Sequence, residues 1–142
     1  PNRCRKDLRM KTITLCLAWA LVAATTLPLA AHAQEINLTK QFSVCMDKAD
    51  GVTQHMVECI DAETKRQDAR LNKAYKAVVA DLNPERKKQL LQAQRSWLKF
   101  RDTNCAFYFD PGGGTIAWVQ AVDCMMNMTA SRTKELENFT QP

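Results

Sequence analysis

The chain has 142 residues, 46% of them apolar and 25% charged, with only four Gly and five Pro. That length suits one domain and excludes a large multidomain enzyme, while the composition excludes disorder and a collagen-like repeat. The formal charge of +5 is unevenly placed: Arg3, Arg5, Lys6, Arg9 and Lys11 face only Asp7 in the first 33 positions, leaving 15 basic and 14 acidic residues in the other 109. A nearly neutral remainder removes the main support for nucleic-acid binding.

Residues 1–9 precede a start-like Met10 and read as an upstream extension. Residues 10–33 read as a signal peptide. Met10-Lys11 gives a short positive start, an apolar run follows from Ile13 to Ala30, and Ala31-His32-Ala33 places small residues at −3 and −1 for cleavage after Ala33. Thr25, Thr26 and Pro28 interrupt the run, which argues against a stable membrane anchor. The mature domain is then 34–142, periplasmic or secreted. It keeps Cys45, Cys59, Cys105 and Cys124, and an even count in a small exported chain predicts two disulfides. Zinc is disfavoured, because no CxxC pair occurs and His55 is the one histidine left.

The mature chain reads as helix with a few strong breakers. A first segment runs from about Thr39 to Ala49 and ends at Asp50-Gly51. Thr53 is a natural N-cap for a long helix to Leu82, on which Met56, Cys59, Ile60, Leu71, Ala74, Tyr75, Val78 and Leu82 draw one apolar stripe. Between Glu63 and Arg70 the stripe turns polar, which predicts an exposed middle with local ion pairs. Asn83 caps the next helix and Pro84 fits its first turn. This helix reaches about Phe107 and carries Leu90, Leu91, Gln94, Trp97, Leu98, Arg101 and Cys105. Asp110-Pro111-Gly112-Gly113-Gly114 breaks it. Thr115 then caps a helix carrying Ile116, Val119, Val122, Met126, Thr129, Leu136 and Phe139.

No stretch alternates with period two long enough for a sheet. The expected fold is all-α: a small antiparallel three-helix bundle with a short extra N-terminal helical segment. Folding about Asp50–Val52 brings Cys45 near Cys59, and folding about Asp110–Gly114 brings Cys105 near Cys124. Folding about Asn83 instead sets Cys59 opposite Cys105, which leaves Cys59–Cys105 with Cys45–Cys124 as the competing connectivity.

No catalytic constellation emerges. His55 has no nucleophile motif beside it, the acids alternate with Lys and Arg at helix-surface spacing, and no P-loop, dinucleotide fingerprint or HExxH is present. We therefore expect no enzyme activity, cofactor or metal. Gln94, Trp97 and Arg101 share a helix face; Trp97 is expected in the core, with Gln94 and Arg101 hydrogen-bonding to Asn72 or other helix partners. Arg132 offers the same tie. Gly112, Gly113 and Gly114 turn the chain between helices. Beside Tyr108, Phe109 and Trp118, they also form a candidate protrusion for a protein partner, since aromatics are favoured interface anchors.

Three segments carry a family resemblance. Thr53-Gln54-His55-Met56-Val57-Glu58-Cys59 is followed by Asp68-Ala69-Arg70-Leu71-Asn72-Lys73-Ala74-Tyr75. Then comes Leu91-Gln92-Ala93-Gln94-Arg95-Ser96-Trp97-Leu98-Lys99-Phe100-Arg101-Asp102-Thr103-Asn104-Cys105. With Gly113-Gly114-Thr115, Cys124, Thr129, Arg132 and Leu136 at the expected spacing, the chain resembles the LprI-like lysozyme-inhibitor family from about Cys45 to Phe139. The resemblance implies a secreted or periplasmic helical domain, some of whose relatives inhibit lysozyme, with Leu71, Asn72, Tyr75, Gln94, Trp97, Arg101, Asp102 and Arg132 as architectural motif residues. The expected function is an exported inhibitor of lysozyme-type cell-wall hydrolases that occludes their cleft. A periplasmic interaction or immunity protein with another protein partner is the alternative.

Overall fold

The computed structural model describes residues 36–140. The expected extension (1–9), leader (10–33) and cleavage point therefore lie outside the described residues. Within them the chain forms four helices and no strand: α1 (Lys40–Ala49), α2 (Thr53–Ala80), α3 (Pro84–Ala106) and α4 (Gly114–Asn138).

The helix ends follow local chemistry, with two departures. Thr39 caps α1, its hydroxyl accepting from the Phe42 N–H at 3.3 Å. Asn83 caps α3, accepting from the Arg86 N–H at 2.9 Å, with Pro84 in the first turn. Thr53 and Thr115, expected as caps, are instead helical residues. Val52 and Gly113 hold the N-cap positions without a side-chain bond. The two threonines face each other across the bundle, Oγ1 to Oγ1 at 3.4 Å. A positive φ at Gly51 and Gly114 (+74° and +64°) starts each helix from a tight turn that no threonine cap is needed to close.

Cross-helix bonds fix the directions. Thr53–Thr115, Gln67–Thr133 and Arg70–Glu137 keep a nearly constant sequence offset, so α2 and α4 run parallel. Gln94–Arg132 and Arg101–Thr129 pair in opposite senses, so α3 runs antiparallel to α4. Thr39–Glu63 and Cys45–Cys59 set α1 antiparallel to α2. The helices are unequal partners: α2 and α4 pack most closely, α1 lies on α2, and α3 leans mainly on α4. Consistent with this, Cys105 is the one fully buried residue of α3.

The core has two apolar clusters. Val57, Ile60, Val119 and Met126 form one, joined by Phe42 and Met46 of α1. Leu71, Ala74, Val78 and Leu136 form the other, edged by Tyr75, Leu90 and Trp97. A fully buried Ile60 or Leu136 contributes on the order of 1.5–3 kcal/mol. Trp97 is only partly buried and closes the side of the second cluster instead of filling it.

The layer between the clusters overturns one expectation. Glu63 and Gln67, in the stretch of α2 predicted to be exposed, are both 0% accessible, as are Thr129 and Thr133 of α4. The positions Ile60, Glu63, Gln67, Leu71, Ala74 and Val78 continue one buried face at three- and four-residue steps, and two of them are polar. Burial is tolerable there because partners from outside α2 meet both groups. Two disulfides brace the corners, Cys45–Cys59 with Cα atoms 5.7 Å apart and Cys105–Cys124 with Cα atoms 5.5 Å apart, which are the local pairs.

Candidate functional site

The turn from α3 to α4 is built from consecutive closing bonds. The N–H groups of Phe107, Tyr108 and Phe109 donate to the carbonyls of Asn104, Cys105 and Ala106, so α3 unwinds without loose ends. Asp110 then organises the glycines: its carboxylate accepts from the Gly112 N–H at 2.8 Å and its carbonyl from the Gly113 N–H at 3.0 Å. A Cβ on Gly113 would lie 2.8 Å from the Ala117 Cβ, so α4 approaches too closely for any side chain. Beneath the turn the Met128 sulfur sits 3.5 Å from Cys105 Sγ and 3.8 Å from Cys124 Sγ. The glycine segment is therefore a tied corner over a packed sulfur cluster.

Its surface is apolar. Phe107 is 86% exposed and Phe109 57%, and Tyr108, Ile116 and Trp118 are exposed as well. Phe107 and Tyr108 pack edge to face with ring centroids 6.2 Å apart. A group of large apolar side chains left in water beside a braced turn marks a candidate contact surface. The structure thus places Tyr108, Phe109, Gly112, Gly113, Gly114 and Trp118 at one end of the α3–α4 pair.

The motif residues converge elsewhere, on the α3–α4 seam and the neighbouring flank of α2. Gln94 Oε1 accepts from Arg132 Nε at 3.0 Å, and Arg132 also pairs with Glu135 at 2.7 Å. Arg101 donates to Thr129 Oγ1 at 3.1 Å, pairs with Asp102 at 2.9 Å, and stacks its guanidinium 5.2 Å from the Trp97 ring centroid. The hydrogen-bond partners of Gln94 and Arg101 thus come from α4 and α3, not from Asn72, which is exposed on α2. The reason is geometric, since α3 leans on α4 and stands off α2. Its longest reach toward α2 is Arg101–Asp68 at 3.8 Å. Leu71, Asn72, Tyr75, Gln94 and Arg101 line a cleft of about 390 Å³ between α2 and α3.

The sequence concealed the most heavily bonded carboxylate among the described residues. Glu63 Oε1 accepts from the Thr39 N–H (2.9 Å) and Gln67 Nε2 (2.6 Å), and Oε2 accepts from the Thr39 hydroxyl (2.6 Å) and Arg66 Nε (2.7 Å). Burial pushes this carboxyl up, but bonds from Thr39, Gln67 and Arg66 outweigh it and hold the group below its ordinary value. From Gln67 the network continues through Arg70 to Glu137, with Asn37 O accepting from both Gln67 and Arg70. The available signal was the buried-face spacing; charge type hid it. Asp123 behaves oppositely: burial raises its pKa and one bond from Asn127 only partly offsets this. His55 is exposed. Among the described residues, no three His, Cys, Asp or Glu side chains group as metal ligands, and no helix is long and apolar enough to cross a membrane.

Fold and site thus define a small helical domain, braced by two disulfides, with polar groups bonded in its interior and an exposed apolar end. The chain belongs to the LprI family: the family described as Lysozyme inhibitor LprI matches residues 45–136, from the first bridged cysteine to the last core leucine. It is also similar to an uncharacterized protein of Rhizobium meliloti (strain 1021), 30% identical over 97 residues that cover 58% of this chain and 70% of the relative. No solved structure matches. Membership in an inhibitor family implies a protein partner.

Proposed function

We propose that this chain is an exported inhibitor of lysozyme-type cell-wall hydrolases that acts by filling the enzyme's substrate cleft. The observation that carries the proposal is the exposed set Phe107, Tyr108, Phe109, Ile116 and Trp118 around a turn held by Asp110 and the Cys105–Cys124 bridge. A rigid apolar end can enter a concave site at small entropic cost, and aromatic anchors of this kind carry most of the energy of an interface. Inhibition by occlusion needs no nucleophile, base or cofactor. The two bridges favour an oxidising compartment outside the cytosol, where such a hydrolase would be met.

The test is a turbidity assay in which the purified exported protein slows lysis of bacterial cells by lysozymes of several classes. No inhibition at large molar excess rejects the proposal and favours a different protein partner. Lysis by the protein alone would make it an enzyme.

A further inference from the structure

The near-neutral mature chain conceals a separation of charge. Helix α3 carries Arg86, Lys87, Lys88, Arg95, Lys99 and Arg101 against Glu85 and Asp102, a net of +4 in 23 residues. The remaining described residues carry nine basic and eleven acidic side chains, a net of −2. At 100° per residue, Lys88, Gln92, Arg95 and Lys99 fall on one stripe, opposite the face that Gln94, Trp97 and Arg101 turn toward α4. All four stripe residues are exposed, and none of its three cations forms an ion pair among the described residues. Arg95 also stands at the rim of the α2–α3 cleft, and Glu85 lies near the stripe's N-terminal end. The stripe spans roughly 16 Å at 1.5 Å per residue. Leu91, 40% exposed, borders it beside Arg95, while the 58% exposed Phe100 lies about 100° round the helix from Lys99.

We propose that this outward face of α3 is a docking surface for the anionic phosphate headgroups of a lipid bilayer. The complementarity is electrostatic: each unpaired Lys or Arg close to an anionic leaflet adds attraction, and an exposed apolar side chain such as Leu91 settles at the headgroup boundary. Exposed Leu91 at the stripe's border favours a bilayer over a nucleic acid, whose backbone offers it nothing. The stripe shares no residue with the exposed aromatic set at the α3–α4 turn. The proposal rests on export only in bringing a bilayer within reach.

The experiment is co-sedimentation of the purified exported protein with vesicles of phosphatidylglycerol and phosphatidylcholine, or of phosphatidylcholine alone. Binding is expected to the anionic vesicles only, with release in 1 M salt, where screening falls to about 3 Å. The triple variant Lys88→Gln, Arg95→Gln, Lys99→Gln should lose binding on the order of 100-fold. A matched variant on α2, Lys65→Gln, Lys73→Gln, Lys76→Gln, removes the same charge from other exposed positions and should bind nearly as wild type. Equal loss in both variants, binding to uncharged vesicles, or binding to DNA but not vesicles would overturn the proposal. Lysozyme inhibition is assayed in parallel. It should be unchanged in the α3 triple variant, and its loss there would assign the face to the enzyme interface instead.

Discussion

Glu63 and Thr39, 24 residues apart, are joined twice: the Thr39 amide and hydroxyl both donate to the Glu63 carboxylate, at 2.9 and 2.6 Å. The same hydroxyl accepts from Phe42 and so begins α1. One fully buried carboxylate on α2 therefore decides where the first helix starts and how it lies.

Replacing Glu63 by Ala strands Thr39, Gln67 and Arg66 and opens a hole between the two apolar clusters. We expect a loss of about 3 kcal/mol. For a domain of this size the melting temperature should fall by on the order of 15 °C, measured by far-ultraviolet circular dichroism. An unchanged transition would show that the buried bonds contribute nothing net.

The same group sets an acid limit. Its folded pKa is lowered relative to the ordinary 4.5, so the stabilisation is present above the unfolded value and lost as pH falls through the folded one. Urea midpoints should therefore decline from pH 5 toward pH 3, and less steeply in Glu63→Gln. Asp123 runs the other way. Its raised pKa means that ionisation costs stability as pH rises, so Asp123→Asn should raise the midpoint at neutral pH.

Gly113→Ala tests whether the turn is tied or loose. The added methyl meets the Ala117 Cβ at 2.8 Å and Asp110 at 3.3 Å, so the N-terminus of α4 must shift, at a cost of about 1–3 kcal/mol. A denaturation midpoint equal to wild type would mean that the corner yields freely.

Tyr108→Ala, Phe109→Ala and Trp118→Ala separate binding from folding. All three side chains are exposed, so stability should change by less than about 0.5 kcal/mol. At least one should weaken lysozyme inhibition by roughly 30-fold, as expected of an interface anchor worth about 2 kcal/mol. Full inhibition by all three would remove the turn from the interface.

The breakers and the apolar stripe were legible in the sequence because they are local. Asp50-Gly51, Asn83-Pro84 and the glycine run divide the chain where the structure does, and short corners made Cys45–Cys59 and Cys105–Cys124 the near pairs. The polar layer was not legible, because Glu63 and Gln67 become core residues only when Thr39 arrives from α1 and Thr133 from α4. That Gln94 and Arg101 tie to other helix residues was legible, but that the partners are Arg132 and Thr129 and not Asn72 was not. A helix face shows that side chains align but not which neighbour lies opposite. The exposed aromatics were visible as composition, and only their positions beyond the α3–α4 seam separate them from core.

Because α2 and α4 run parallel with an offset of 62 to 67 residues, Cys59 and Cys124 come to the same level, so both bridges sit toward the end that bears the aromatic turn. The opposite end, where Leu82, Leu90 and Phe139 line one cavity, has no covalent clasp among the described residues. Thermal breathing will therefore begin there, and amide exchange at that corner will report early opening while the aromatic end keeps its shape.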